Sequence, residues 1–158
     1  ALGHRSILHI SGPDYSAEAQ ARRAGYESAM TAAGLKPQLI QGDWSSETGF
    51  KIGVDLNLEL SGATAIFAAN DHLCLGLLKA LRMRGIDVPG RVSIIGFDDI
   101  PESTYFVPPL TTVRQDFNRL GESAMEILLG ELKAQPTKSK ISVQPELVVR
   151  ESTARLEN

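Results

Sequence analysis

The chain has 158 residues, 42% of them hydrophobic and 22% charged, with a formal net charge of −3 and a mean hydropathy of −0.08. That length supports one sizeable core burying roughly 70% of the surface the unfolded chain would expose, while an acidic balance without a basic cluster argues against direct nucleic-acid binding. No run approaches the ~20 apolar residues of a membrane span, the first residues lack a signal-peptide layout, and a single cysteine, Cys74, fits a reducing compartment, so the expectation is a soluble cytoplasmic protein with no membrane partner.

In chain order, Ser6 to Ile10 is a short apolar run closed by Ser11-Gly12-Pro13, which predicts a strand and a turn. Ala17 to Ala33 is rich in Ala, Gln, Glu and Arg and ends at Gly34, a helix with its C-terminal glycine. Gln38 to Ile40 is a brief strand. Ser46 to Leu60 has helical period, with Phe50, Val54 and Leu58 on one stripe, Ile52, Leu56 and Leu60 broadening it, and Gly49 and Gly53 weakening it. Thr64 to Ala69 predicts a strand, Asp71 to Arg84 a helix and Val92 to Phe97 another strand. The runs IFAA and VSII do not alternate polar and apolar residues, as expected of strands covered on both faces. This alternation predicts an α/β fold with an open parallel sheet flanked by helices.

Beyond Asp99 the texture changes. Ile100 to Thr112 carries Pro101, Pro108 and Pro109 and excludes a regular helix. Asp116 has the character of an N-cap for a helix over Phe117 to Ala134, with Leu120, Ala124, Ile127 and Leu128 on one face. Gln135 to Lys140 is polar, and Ile141 to Arg150 is rich in β-formers. The opening Ala-Leu-Gly-His-Arg reads as the end of a helix running into the first strand, the expectation for a piece of a longer protein.

The residues able to carry chemistry gather at strand ends. Asn70, Asp71, Asp98 and Asp99 follow two strands, and ligands of open parallel sheets bind at the carboxyl ends of strands. The ordinary alternative is capping, weighted toward Asp71 and Asp99. Arg22, in the opening turns of the first helix, could clamp hydroxyls or a carboxylate through its planar fork; Arg23 points about 100° away, so only one of the two can face a crevice. Trp44 in Gly42-Asp43-Trp44-Ser45 offers a platform for a sugar ring, or equally a core side chain. Phe67, inside a strand, reads as core. His4, His9 and His72 have no metal-ligand spacing with one another or with Cys74. Neither a nucleophile elbow nor a phosphate-binding loop is present. No enzymatic activity, metal or cofactor is expected.

With these elements in place, the chain resembles the effector-binding core of the LacI/GalR family of bacterial transcriptional regulators. The resemblance rests on Leu2-Gly3-His4-Arg5, Arg22 through Gly25-Tyr26, Gly42-Asp43-Trp44, and Thr64-Ala65-Ile66-Phe67 running into Ala69-Asn70-Asp71. It continues through Gly85-Ile86, Val88-Pro89, Val92 to Asp99, Pro108-Pro109-Leu110-Thr111-Thr112, Leu120-Gly121 and Arg150-Glu151-Ser152-Thr153. Each motif alone is weak; the order and spacing together are specific.

The resemblance implies a periplasmic-binding-protein-like core of type I, represented mostly by its C-terminal subdomain. Residues 1–114 would form that subdomain, 115–144 would cross to the N-terminal subdomain, and 145–158 would return. The implied partner is a small-molecule effector, a sugar by expectation, held by Arg22, Trp44, Phe67, Asn70 and Asp98. Leu75, Lys79, Tyr105 and Phe106 fall where the family builds a dimer interface, so a homodimer or higher oligomer is expected. Operator DNA would be reached only through a headpiece outside this chain. The pattern departs from the family at Ser16-Ala17-Glu18, where further polar effector contacts are usual, and at Gly90-Arg91, where an acidic residue is usual. The alternative on the same fold is a sugar-binding protein of a transport or chemotaxis system. Without a sheet to cover, the stripe of the Phe117–Ala134 helix would lie exposed and favour association.

Overall fold

In the computed structural model, which describes residues 2–133 and 142–156, apolar runs bounded by Gly, Pro and Asx residues form strands and the longer segments between them form helices. The order is β1 (Ile7–Ser11), α1 (Ala17–Ala32), β2 (Gln38–Gln41), α2 (Ser46–Asp55), α3 (Leu58–Ser61), β3 (Ala65–Ala68), α4 (Asp71–Met83) and β4 (Ser93–Asp98). A 3-10 turn (Pro101–Tyr105), β5 (Thr111–Arg114), α5 (Phe117–Leu132) and β6 (Glu146–Val148) follow. The strands make one six-stranded sheet in the order β2-β1-β3-β4-β5-β6, parallel except that β6 runs antiparallel to β5. The α/β expectation holds.

Register decides which side chains share a face. Leu8 lies opposite Ile66, and Ile66 opposite Ile94. With Ile10 and Ala68 they pack in one core with Leu73, Leu77 and Leu81 of α4. His9, Phe67 and Ile95, the next residues in register, occupy the opposite face. There Tyr26 of α1 donates its hydroxyl proton to the Ile7 carbonyl at 2.6 Å and accepts from the Gln38 amide at 2.9 Å, fixing α1 against β1 and β2.

The helix expected over Ser46–Leu60 is broken in two. The Arg84 guanidinium donates to the carbonyls of Gly53 (2.7 Å) and Leu56 (2.6 Å), and Asn57 caps α3 by accepting from the amides of Glu59 and Leu60. The buried face of α2 also differs from the expected stripe. Val54 and Leu60 are exposed, whereas Gly49 and Gly53 are buried. A methyl group on Gly49 would strike the Leu73 carbonyl; one on Gly76 would strike the Ser46 carbonyl and the Phe50 amide nitrogen. α2 and α4 therefore cross with their backbones in contact, and the glycines that weaken α2 as a helix are what allow the crossing.

α5 forms as expected, with Asp116 accepting from the Arg119 amide as its N-cap. Only Ser123 and Gly130 of this helix are buried, while Phe117, Leu120, Met125, Leu128, Leu129 and Leu132 are exposed. The Gln135–Lys140 stretch lies outside the described residues. No helix among the described residues is long and apolar enough to cross a membrane.

Gly76→Ala should separate α2 from α4 and cost roughly 1–3 kcal/mol or more, as overpacking against backbone does. Urea unfolding of the variant beside the parent measures it.

Candidate functional site

The sheet order places β1 between β2 and β3, so connections leave in opposite directions from the carboxyl ends of β1 and β3. Crevices at such switch points are the usual ligand sites of open α/β sheets. Here Arg22 reaches across the switch. Its Nη1 donates to the Ala69 carbonyl at the end of β3 (3.0 Å), and its Nη2 lies 3.5 Å from Asp98 Oδ1 at the end of β4. The guanidinium stands over the Phe97 ring at 4.1 Å and 5.3 Å from the centre of the Trp44 ring. Arg23, its neighbour, turns away to pair with Glu27 and Asp14.

Asp98 is 23% exposed at its side chain and accepts a hydrogen bond from Gln115 Nε2 at 2.9 Å, also on Oδ1. Burial pushes its carboxyl above the ordinary aspartate range, against the opposing pull of Arg22 and Gln115. Burial likewise lowers the pKa of Arg22, with Asp98 and Glu18 opposing it. Each partner is thus held partly out of water by a contact too long to compensate fully.

Trp44 owes its place to Gly12, where a Cβ would collide with the indole. Asn70 is the N-cap of α4, accepting from the Leu73 amide at 2.9 Å, and its Nδ2 donates to the Trp44 carbonyl at 3.0 Å. It therefore fixes the Trp44 loop against the start of α4, with its side chain largely engaged by the protein. Phe67 stacks on His9, centroids 4.7 Å apart. By register it lies one layer below Phe97 on the same sheet face, and Phe97 is the ring beneath the arginine.

Arg22, Trp44, Asn70 and Asp98 converge, then, and Phe67 sits beneath them. Phe97, Gln115 and Gly12 also shape this site and are not among the residues expected from the sequence. Gln115 carried a signal, since it follows β5 at the same carboxyl edge; Phe97 carried one as the residue before Asp98. A cavity of about 650 Å³ opens beside Asp98 and Gln115 and extends past Arg114, Phe117 and Glu146.

Asp71 is a buried cross-link more than a cap. With no exposed surface, it accepts from Thr112 Oγ1 (2.6 Å) and the Ile100 amide (3.0 Å). Burial raises its pKa, with those two hydrogen bonds opposing. Asp99 is also largely buried. Its Oδ1 accepts from Arg150 Nη2 (2.6 Å) and Ser103 Oγ (3.1 Å), its Oδ2 from Arg114 Nε (2.6 Å). Burial alone would raise its pKa; the three donors outweigh that and hold it below the usual value. Of the expected interface residues, Leu75, Lys79 and Tyr105 are exposed, and Phe106, 7% exposed, packs in the core. Among the described residues, no group of three or more His, Cys, Asp or Glu side chains is placed to hold a metal ion.

Asn70→Ala should cost about 1–2 kcal/mol for the lost cap and change Trp44 emission by freeing its loop, read by urea unfolding and fluorescence. Asp99, depressed in the folded state, contributes stability that is present above the unfolded pKa of about 3.9 and lost as pH falls through its lower native value. Asp99→Asn should flatten that acid limb in unfolding measured from pH 5 to pH 2, whereas an unchanged acid limb would contradict the assignment.

The family model for a periplasmic binding protein-like domain matches residues 1–153. An HTH-type transcriptional repressor PurR from Vibrio campbellii is 36% identical over 158 residues, an alignment covering 98% of this chain and 47% of that protein. The lactose operon repressor of Escherichia coli K12 is 35% identical over 154 residues, 97% of this chain and 43% of that one. Among solved structures, a dimeric Lac repressor superposes with a TM-score of 0.91 at 34% identity, covering 98% of this chain and 58% of that chain. A sugar-binding regulator of the LacI family from Escherichia coli, complexed with phosphate, gives 0.89 at 30% identity, covering 98% and 57%. The chain spans about half the length of the curated relatives it matches. These relatives are transcriptional repressors, not enzymes. With its sheet order and its switch-point site, the chain belongs to the periplasmic binding protein-like domain family and is similar to the part of PurR and Lac repressors that these alignments cover.

Proposed function

We propose that this chain is the effector-sensing, dimerising part of a cytoplasmic LacI-type repressor, and that its effector is a sugar. The observation that carries this reading is the loosely paired Arg22 and Asp98 at the switch point, with Gln115 on the same carboxylate oxygen. A half-dehydrated carboxylate and guanidinium a few ångströms apart suit a vicinal pair of hydroxyls, which donate to one and accept from the other through charge-assisted bonds. The aromatic groups favour a sugar over a purine. Arg22 lies over Phe97 at 4.1 Å, taking the face of that ring against which a planar base would stack. Trp44 would cover an apolar ring face from the side.

In this reading residues 1–114 form one wall of the cleft, 115–144 cross to the opposing subdomain, and 145–158 return. The exposed apolar residues of α5 are then the surface that meets the opposing subdomain. Leu75, Lys79 and Tyr105 face a second protomer, while Phe106 supports that surface from within. Effector binding biases the angle between subdomains through its differential affinity for two arrangements. Operator DNA is contacted by a headpiece outside this chain, in keeping with its net negative charge.

The test is a titration of the intact protein, read by Trp44 emission, with D-galactose, D-glucose, D-ribose, guanine and hypoxanthine, and operator affinity measured with and without each compound. A sugar should alter both signals, and Asp98→Asn should weaken its binding about ten- to a hundredfold, as loss of a charge-assisted bond of ~1.5–3 kcal/mol does. A response to purines alone would overturn the sugar assignment and keep the sensor. Unchanged operator affinity with a bound sugar would favour a transport or chemotaxis binding protein.

A further inference from the structure

Asp98 and Asp99 are the two non-glycine residues with positive φ among the described residues, at 110° and 55°. Asp tolerates the second value through its short polar side chain. The first is sparsely populated for any residue with a Cβ and persists only where the surroundings over-determine it. What over-determines it lies one residue on. The Asp99 carboxylate, 7% exposed, is filled by Arg150 and Ser103 on one oxygen and Arg114 on the other. The Ile100 amide is fastened to buried Asp71. Arg150 also donates to the Leu110 carbonyl at 2.7 Å, tying the tail to the start of β5.

Arg114 is the distinctive member. In register it stands opposite Asp98 on β4 and opposite Glu146 on β6. Its Nε meets Asp99 at 2.6 Å and its Nη1 lies 3.6 Å from Glu146. The next residue, Gln115, is the one whose amide touches Asp98. The strand that leaves the sheet at 115 and the strand that re-enters it at 146 are thus both keyed to the corner that presents Asp98.

We propose that Asp99 is a positioning residue for the ligand-contacting Asp98, and that Arg114 is its adjustable partner, locking the strained corner to the strands through which the chain leaves and re-enters the sheet. Arg150 is the fixed partner, 16% exposed at its side chain; Arg114, at 47%, can be exchanged without opening the core. The role assigned to Asp98 here rests on the function proposed above.

The test compares the intact parent protein with Arg114→Gln and Arg114→Lys. Amide hydrogen exchange at residues 98–100 should accelerate at least tenfold in Arg114→Gln with the thermal midpoint lowered by only a few degrees, because one exposed partner is lost from a carboxylate that Arg150 and Ser103 still hold. Arg114→Lys should restore most of the protection, since an ammonium can still reach Asp99. The titration with whichever of D-galactose, D-glucose and D-ribose alters the parent's Trp44 emission should weaken three- to tenfold in Arg114→Gln and recover in Arg114→Lys. Unchanged exchange at 98–100, or a loss of protection no greater there than in β1 and β2, would overturn the proposal, the second by reducing Arg114 to a general stabiliser. If D-galactose, D-glucose, D-ribose, guanine and hypoxanthine all leave the parent's emission unchanged, the functional reading has failed, and exchange at 98–100 still decides the positioning role.

Discussion

A carboxylate with no exposed surface, Asp71, sits where α4 begins and the carboxyl ends of β4 and β5 converge. Burying a charge there is costly unless every lone pair in need of a donor finds one, and the donors come from two other elements, the Thr112 hydroxyl on β5 and the Ile100 amide after β4. Gly96 is required directly above it, since a Cβ at that position would collide with Asp71 Oδ1. Helix α4, the β4 corner and β5 are consequently set to one another by a single side chain. That geometry in turn fixes where Asp98 and Gln115 emerge. Replacing Asp71 would leave an amide and a hydroxyl without partners inside the core, a larger disturbance than the loss of a surface ion pair.

Much of the site was legible in the sequence because its residues sit where apolar runs stop. Asn70 and Asp98 end β3 and β4, Trp44 follows β2, and Arg22 lies in the early turns of α1; in a parallel sheet all these points fall on one edge. The assignment between neighbours was less legible. Asp71 and Asn70 exchange the roles their positions suggest, Asn70 capping α4 and Asp71 cross-linking three elements, because an N-cap needs a side chain that reaches back to its own helix and only the residue before the first turn can do so. Gln115 and Phe97 carried only positional signals, the first following β5 and the second preceding Asp98, and a lone amide or an aromatic inside an apolar run does not by itself mark a binding group.

The fold followed from alternation, but the α2–α4 contact did not. Hydropathy ranks Val54 and Leu60 above glycine, so a stripe built from the larger residues points the wrong face inward. What selects the buried face is the distance of closest approach, and a crossing with backbones in contact admits only residues without a Cβ. α5 is the converse. Its apolar residues obey a helical period and yet lie exposed, so a period that predicts a helix does not by itself predict what covers it.

The two adjacent aspartates of the β4 corner show how one backbone turn separates a saturated carboxylate from an under-bonded one. Asp99 receives three close donors and its pKa falls; Asp98 receives one close donor and one distant arginine, and burial raises its pKa. The first carboxylate has recovered, within the protein, the hydrogen bonds it gave up to leave water. Asp98 has not, and Arg22 opposite it is in the same condition. In the proposed function, much of the desolvation cost of binding is therefore already met by the fold, and a ligand that supplied a donor to Asp98 and an acceptor to Arg22 would regain interactions that water no longer provides in full. Such preorganisation raises affinity without adding contact area. It depends on Asp99 remaining saturated, because the donors on Asp99 hold the corner that presents Asp98.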